Sequence, residues 1–117
     1  MKATESQEQI ALFQWAAMQD NKYPELKLMY HIPNGGQRNI VTATRLKREG
    51  VKSGVPDIFL PVVKKCYSGL YIEMKAIKGK TSKNQIEWIE NLKFQGYAVV
   101  VCYGWEEAKR VIERYLK

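Results

Sequence analysis

Apolar and polar positions change period several times along this chain. From about Glu5 to Asp20 they are apolar almost all round, with Ile10, Ala11, Leu12, Phe13, Trp15, Ala16, Ala17 and Met18. That pattern predicts a largely buried helix, opened by a capping box of Thr4 with Gln7 three residues on. Leu26 to Ile32 alternates and reads as a strand. Asn39 to Arg48 reads as a second helix, with Gly50 as its C-terminal cap. Two short strands follow, Gly54–Leu60 and Leu70–Ala76, with Ser68-Gly69 turning the chain between them. Ser82 and Gln85 form another capping box, opening a helix to about Gln95 with Gly96 at its end. Ile86, Trp88, Ile89, Leu92 and Phe94 are its expected buried side. The unbroken run Tyr97–Tyr103 predicts a buried, central-type strand. A last helix runs from Gly104-Trp105 to Tyr115, with Val111, Ile112, Tyr115 and Leu116 on the sheet and Arg110 and Arg114 outward. This order predicts one α/β domain over residues 1–117, a central mixed sheet flanked by helices.

Composition narrows the class. At 117 residues the chain holds one core. A formal net charge of +7 favours an anionic partner, nucleic acid before an anionic membrane. No apolar run approaches the roughly 20 residues that span a bilayer, and the start of the chain lacks a signal-peptide core, so a cytoplasmic protein is expected. Cys66 and Cys102 lie far apart, with no metal or redox spacing, and read as core or near-core thiols.

The chemistry concentrates on the two short strands. Side chains alternate along a strand, so Tyr71, Glu73 and Lys75 share one face and Ile72, Met74 and Ala76 the other. Asp57 stands behind Pro56 at the mouth of Ile58-Phe59-Leu60. Paired strands would bring two carboxylates and an ammonium together, an oxygen-rich setting that suits a hard divalent cation such as Mg²⁺. Asn34-Gly35-Gly36 is a turn between a strand and a helix, and its backbone N–H groups suit a phosphate. His31, the only histidine, precedes it. Arg45, Lys47, Arg48 and Lys52 form a basic cluster leading into Asp57. A solvated helix face accounts for them in the absence of a site; phosphate contacts account for them beside one.

Pro56-Asp57 with Glu73-Met74-Lys75 resembles the PD-(D/E)XK nuclease signature. Gly54-Val55-Pro56-Asp57, Glu73-x-Lys75 and Ser82-Lys83-Asn84-Gln85-Ile86-Glu87-Trp88 together resemble the VRR-NUC branch of that superfamily, over nearly the whole chain. The resemblance implies a restriction-endonuclease-like core and metal-dependent hydrolysis of DNA phosphodiester bonds. It implies Glu8, Asp57 and Glu73 as ligands to Mg²⁺ or Mn²⁺, with the Met74 backbone carbonyl as a further ligand. Lys75 then acts on the attacking water or a phosphate oxygen, and Gln85 orients one of these groups. On pattern alone Glu8 sits above Ala11, Leu12 and Trp15 and needs no function; the resemblance makes it the first-helix acid of choice, with Glu5 one turn earlier the alternative. His31, Asn34, Gly35, Gly36, Arg38, Arg45, Lys52 and Lys83 are expected to meet the nucleic acid. Members of this kind imply branched substrates such as four-way (Holliday) junctions or flaps, a phage or prophage setting in a bacterial cell, and a homodimer that cuts two strands. Tyr67, Trp88, Trp105 or Tyr115 would supply the dimer surface. The competing reading is a non-catalytic, basic nucleic-acid-binding domain that needs a partner.

Overall fold

The computed structural model describes residues 2–35 and 39–117. Helix α1 (Glu5–Ala17) starts at the predicted box, with the Thr4 hydroxyl accepting from Gln7 N–H at 3.1 Å and the Gln7 side chain accepting from Thr4 N–H at 2.9 Å. It stops at Ala17, and only Leu12, Trp15 and Ala16 are buried. Ile10 and Met18 are exposed, so the expectation of a largely buried helix fails. The helix lies on one face of the sheet, and only the stripe that meets the sheet loses water.

The segment expected as a strand at residues 26–32 is a 3₁₀ helix, Pro24–Leu28, followed by a two-residue strand β1 (Tyr30–His31). The buried residues there are Leu26 and Met29, three apart. Pro24 sits in the first turn, where a missing N–H costs nothing. Helix α2 (Ile40–Arg48) follows, with the Asn39 side chain accepting from Thr42 N–H at 2.8 Å and Gly50 at φ +104° just past its end.

Strands β2 (Ile58–Leu60) and β3 (Leu70–Lys75) form the expected antiparallel pair, with Ile58 opposite Ile72 and Leu60 opposite Leu70. Strand β2 is shorter than the expected Gly54–Leu60 because the chain turns at Gly54, which has φ +90°. Helix α3 (Lys83–Phe94) returns the chain so that β4 (Ala98–Tyr103) runs parallel to β3. Helix α4 (Trp105–Leu116) closes the fold. The sheet order is β1-β2-β3-β4. Strand β4 is therefore an edge strand rather than a central one. Its apolar run has another cause: α4 packs on one of its faces and α3 on the other.

Ile58, Leu60, Leu70, Ile72 and Met74 face α1 and α4 and form the core with Leu12, Trp15, Ala108, Ile112 and Leu116. Each fully buried Leu, Ile or Met among them contributes about 1.5–3 kcal/mol by leaving water. The opposite face carries Tyr71, Glu73 and Lys75, partly covered by α3. There α3 buries Ile89 but exposes Ile86 and Phe94, contrary to expectation, because it meets the sheet only along a narrow stripe. Cys102 is buried, and burial pushes its thiol up to about 12, so it is inert. Cys66 is exposed at the tip of the Lys64–Tyr67 hairpin, not in the core. Among the described residues no helix is long and apolar enough to cross a membrane.

Candidate active site

The site forms where β2 begins and β3 ends. Pairing β2 with β3 brings Asp57, just before β2, beside the last residues of β3. The Asp57 carboxylate accepts from Met74 N–H at 2.7 Å through Oδ2 and from the Asn34 amide at 3.0 Å through Oδ1. Its backbone carbonyl accepts from Ile32 N–H at 2.7 Å and from His31 Nδ1 at 2.9 Å. A carbonyl only accepts, so Nδ1 donates the proton in this bond. Asp57 is thus fixed by the loop after β1 as well as by β3.

Glu73 is 1 % exposed. Its Oε2 accepts from the Gln85 amide at 3.2 Å and lies 3.7 Å from the Lys75 ammonium. Its Oε1 is buried and has no hydrogen-bond partner among the described residues. Burial, and next the charge of Asp57, push the Glu73 carboxyl up to about 8; Lys75 pulls the other way without cancelling this. A buried carboxylate beside a second one, with an orphaned oxygen, lacks positive charge. Lys75, nearly buried, donates to Gln85 Oε1 at 3.0 Å. Gln85 Oε1 also accepts from Ser82 N–H at 2.8 Å. One amide therefore serves the capping box of α3 and ties Glu73 to Lys75.

The first-helix acids separate clearly. Glu8 does not line the cleft with Asp57. Its Oε1 accepts from Trp105 N–H at 2.9 Å, across 97 residues of chain. Helix α4 has no side-chain cap of its own, because its N-cap is Gly104 at φ +91°. The Glu8 carboxylate takes that place, where the helix dipole favours an anion. Glu5, with Ser6 and Gln9, instead lines a cleft shared with His31, Asp57 and Met74, and its charge contributes to the upward shift of Glu73. Among the described residues no three of His, Cys, Asp and Glu are gathered tightly enough to hold a metal alone. The donor set still fits a Mg²⁺-type ion, which uses one or two carboxylates and takes its other ligands from water and substrate phosphate.

The remaining expected contacts divide. Asn34 is spent on Asp57. Gly35, Lys47, Lys52 and Asn84 line a cleft between α2 and α3. Arg45 and Lys83 are exposed on α2 and at the start of α3. Gly36 and Arg38 lie outside the described residues. The reach of Glu8 to Trp105 N–H carried no sequence signal except the uncapped Gly104.

The sequence matches the VRR-NUC domain over residues 3–106. A solved structure described as a VRR_NUC domain protein superposes with a TM-score of 0.84 and 31% identity, over 99% of this chain and 90% of that one. No curated protein matches.

Proposed function

This chain belongs to the VRR-NUC family of nuclease domains, and from that premise we propose that it is a Mg²⁺- or Mn²⁺-dependent DNA endonuclease acting on branched DNA. The observation that carries the reading is the buried Glu73 beside the half-buried Asp57, with Lys75 and Gln85 in contact and Glu73 Oε1 unpartnered among the described residues.

Asp57 and Glu73 would hold the ion, with the Met74 carbonyl beside them and Glu5, in place of Glu8, facing from α1. Such an ion supplies Lewis-acid activation of water and neutralises charge on the transferring phosphoryl group. The chain's own groups do the rest. Asn34 and Met74 N–H fix the Asp57 carboxylate. Gln85 holds the Lys75 ammonium and Glu73 in one arrangement. Lys75 contacts the attacking water or a nonbridging phosphate oxygen, where its charge opposes the developing negative charge. His31 lines the same cleft as Glu5. Arg45, Lys52 and Lys83 take flanking phosphates, so affinity falls as salt rises.

A homodimer would let two such sites cut two strands. Among the expected dimer residues, Trp88, Trp105 and Tyr115 are half-buried and Tyr67 is exposed. Ile86 and Phe94 on α3, 47 % and 86 % exposed, are the better candidates.

The test is cleavage of labelled four-way junction, flap, duplex and single-stranded DNA with Mg²⁺ or Mn²⁺, beside Lys75→Ala. Metal-dependent cutting that prefers one branched substrate and vanishes in the variant is the expected result. Salt-dependent binding with no cutting on any substrate would leave a binding domain and sink the catalytic reading.

A further inference from the structure

Helix α2 is anomalous. It buries none of its residues, and Ile40 and Val41 are 84 % and 80 % exposed. It adds nothing to the core, yet it forms one wall of a cleft of about 510 Å³, whose other wall is the start of α3. That volume lies within the roughly 300–1,000 Å³ typical of ligand sites.

We propose that this cleft is a nucleotide pocket that receives one unpaired base of the DNA beside the scissile phosphate. The inference rests on the nuclease reading above and names the feature of the substrate that the site selects. Four observations support it. The lining joins an indole, Trp88, to two ammonium groups, Lys47 and Lys52, and to the polar Ser53 and Asn84. An indole stacks on any base, ammonium groups meet its phosphates, and amide and hydroxyl groups meet its edges. The cleft also adjoins the site directly. Gly35 and Asn84 line it, and their chain neighbours Asn34 and Gln85 bond to Asp57 and Glu73.

Its floor is rigid as well. Asn84 donates to the Ser53 carbonyl at 2.9 Å and to its hydroxyl at 3.0 Å. Gly54 has φ +90°, and a Cβ there would stand 2.6 Å from Asn84 Nδ2 and 3.0 Å from Trp88 Cδ1. The floor thus holds a fixed position relative to Asp57, three residues on. Charge selects the occupant: Lys47 and Lys52 attract a nucleotide's phosphates, and the proposed dimer residues Ile86 and Phe94 lie outside the cleft's lining. A base inside a duplex must first leave its stack, whereas an unpaired base enters without that cost. The pocket would therefore favour branch points and gaps over intact duplex.

Binding is the direct test, read without cleavage on the Lys75→Ala protein. The probe is a branched oligonucleotide with one unpaired base next to the cut position, compared with the same oligonucleotide carrying an abasic residue there. Removing the base should weaken binding about 10-fold when Trp88 is present, and less than about 2-fold in the Trp88→Leu variant. Equal losses in both proteins would overturn the pocket. Should Trp88→Leu prove unfolded by circular dichroism, 2-aminopurine at the unpaired position replaces it. Its emission should be quenched on binding, and unchanged emission overturns the proposal. Lys52→Ala should lower the salt slope of binding by about one whether or not the base is present; an unchanged slope overturns the phosphate contact on which the choice of a nucleotide as occupant rests. Failure of the wild-type chain to cut any DNA with metal would sink the nuclease reading and leave the base-dependence result standing by itself.

Discussion

Two acids one helical turn apart have different work. Glu8 caps α4, so Glu8→Ala should cost stability, about 0.5–2 kcal/mol by the loss of a cap. Glu5 faces the cleft, so Glu5→Ala should lower metal-dependent cleavage with little change in stability. Thermal unfolding and initial cleavage rates on the two variants check this, and a reversed pattern would return Glu8 to the site. Glu73 carries a pH signature in the metal-free protein. Its folded-state carboxyl titrates near 8, above its ordinary value near 4.5. The folded chain therefore holds that proton more tightly than the unfolded chain does. Stability is fully present below about pH 4.5, falls as pH rises towards 8 and levels off beyond. Urea unfolding in EDTA should show a loss of a few kcal/mol between pH 5 and 8, and Glu73→Gln should flatten that loss. Added Mg²⁺ at pH 8 should restore stability in the wild-type chain, because an ion bound only by the folded state stabilises it. Gln85 bridges Lys75 and Glu73, so Gln85→Ala should reduce cleavage roughly 10–100-fold, beyond the small cost of the lost cap.

At the scale of elements, the junction between the 53–54 turn and α3 sets the site. Gly54 needs both its positive φ and its missing Cβ. Gly54→Ala should destabilise the fold by about 1–3 kcal/mol and displace Asp57 relative to Glu73, which a combined fall in Tm and cleavage rate would reveal. The capping boxes were legible because a hydroxyl and an amide three residues apart leave a local mark. The segment 24–31 was not legible as drawn: Leu26 and Met29 are spaced as one helical turn, while the alternation over Leu26–Ile32 resembles a strand. Strand β4 shows the same limit. Its apolar run reports two covered faces, and covered faces do not distinguish an edge from a centre. Helix α3 was placed correctly, yet Ile86 and Phe94 point to solvent, because which side of a helix is buried depends on what packs there.

Across the whole molecule, the net charge of +7 predicts DNA affinity that falls steeply with salt. Binding measured at several salt concentrations should give a linear log–log plot, and a flat one would remove nucleic acid as the partner. Phe94→Arg tests the proposed homodimer: light scattering should show monomers, while a monomeric wild-type chain would refute the dimer outright.

Resemblance to a known family singled out Asp57, Glu73, Lys75 and Gln85 as site residues. The sequence by itself determined the α/β class, the β2–β3 pairing, both capping boxes and the shared face of Glu73 and Lys75. These follow from period, from local hydrogen-bonding chemistry and from side chains set on one face of a strand, all of which are properties of neighbours along the chain. Only the tertiary structure decided that Glu8 caps α4, that Glu5 faces the cleft, that Asn34 holds Asp57, and that α2 and α3 enclose a pocket. Each of those depends on groups far apart in sequence meeting across the core or the sheet end, and no local pattern records where a distant helix terminus or carboxylate will stand.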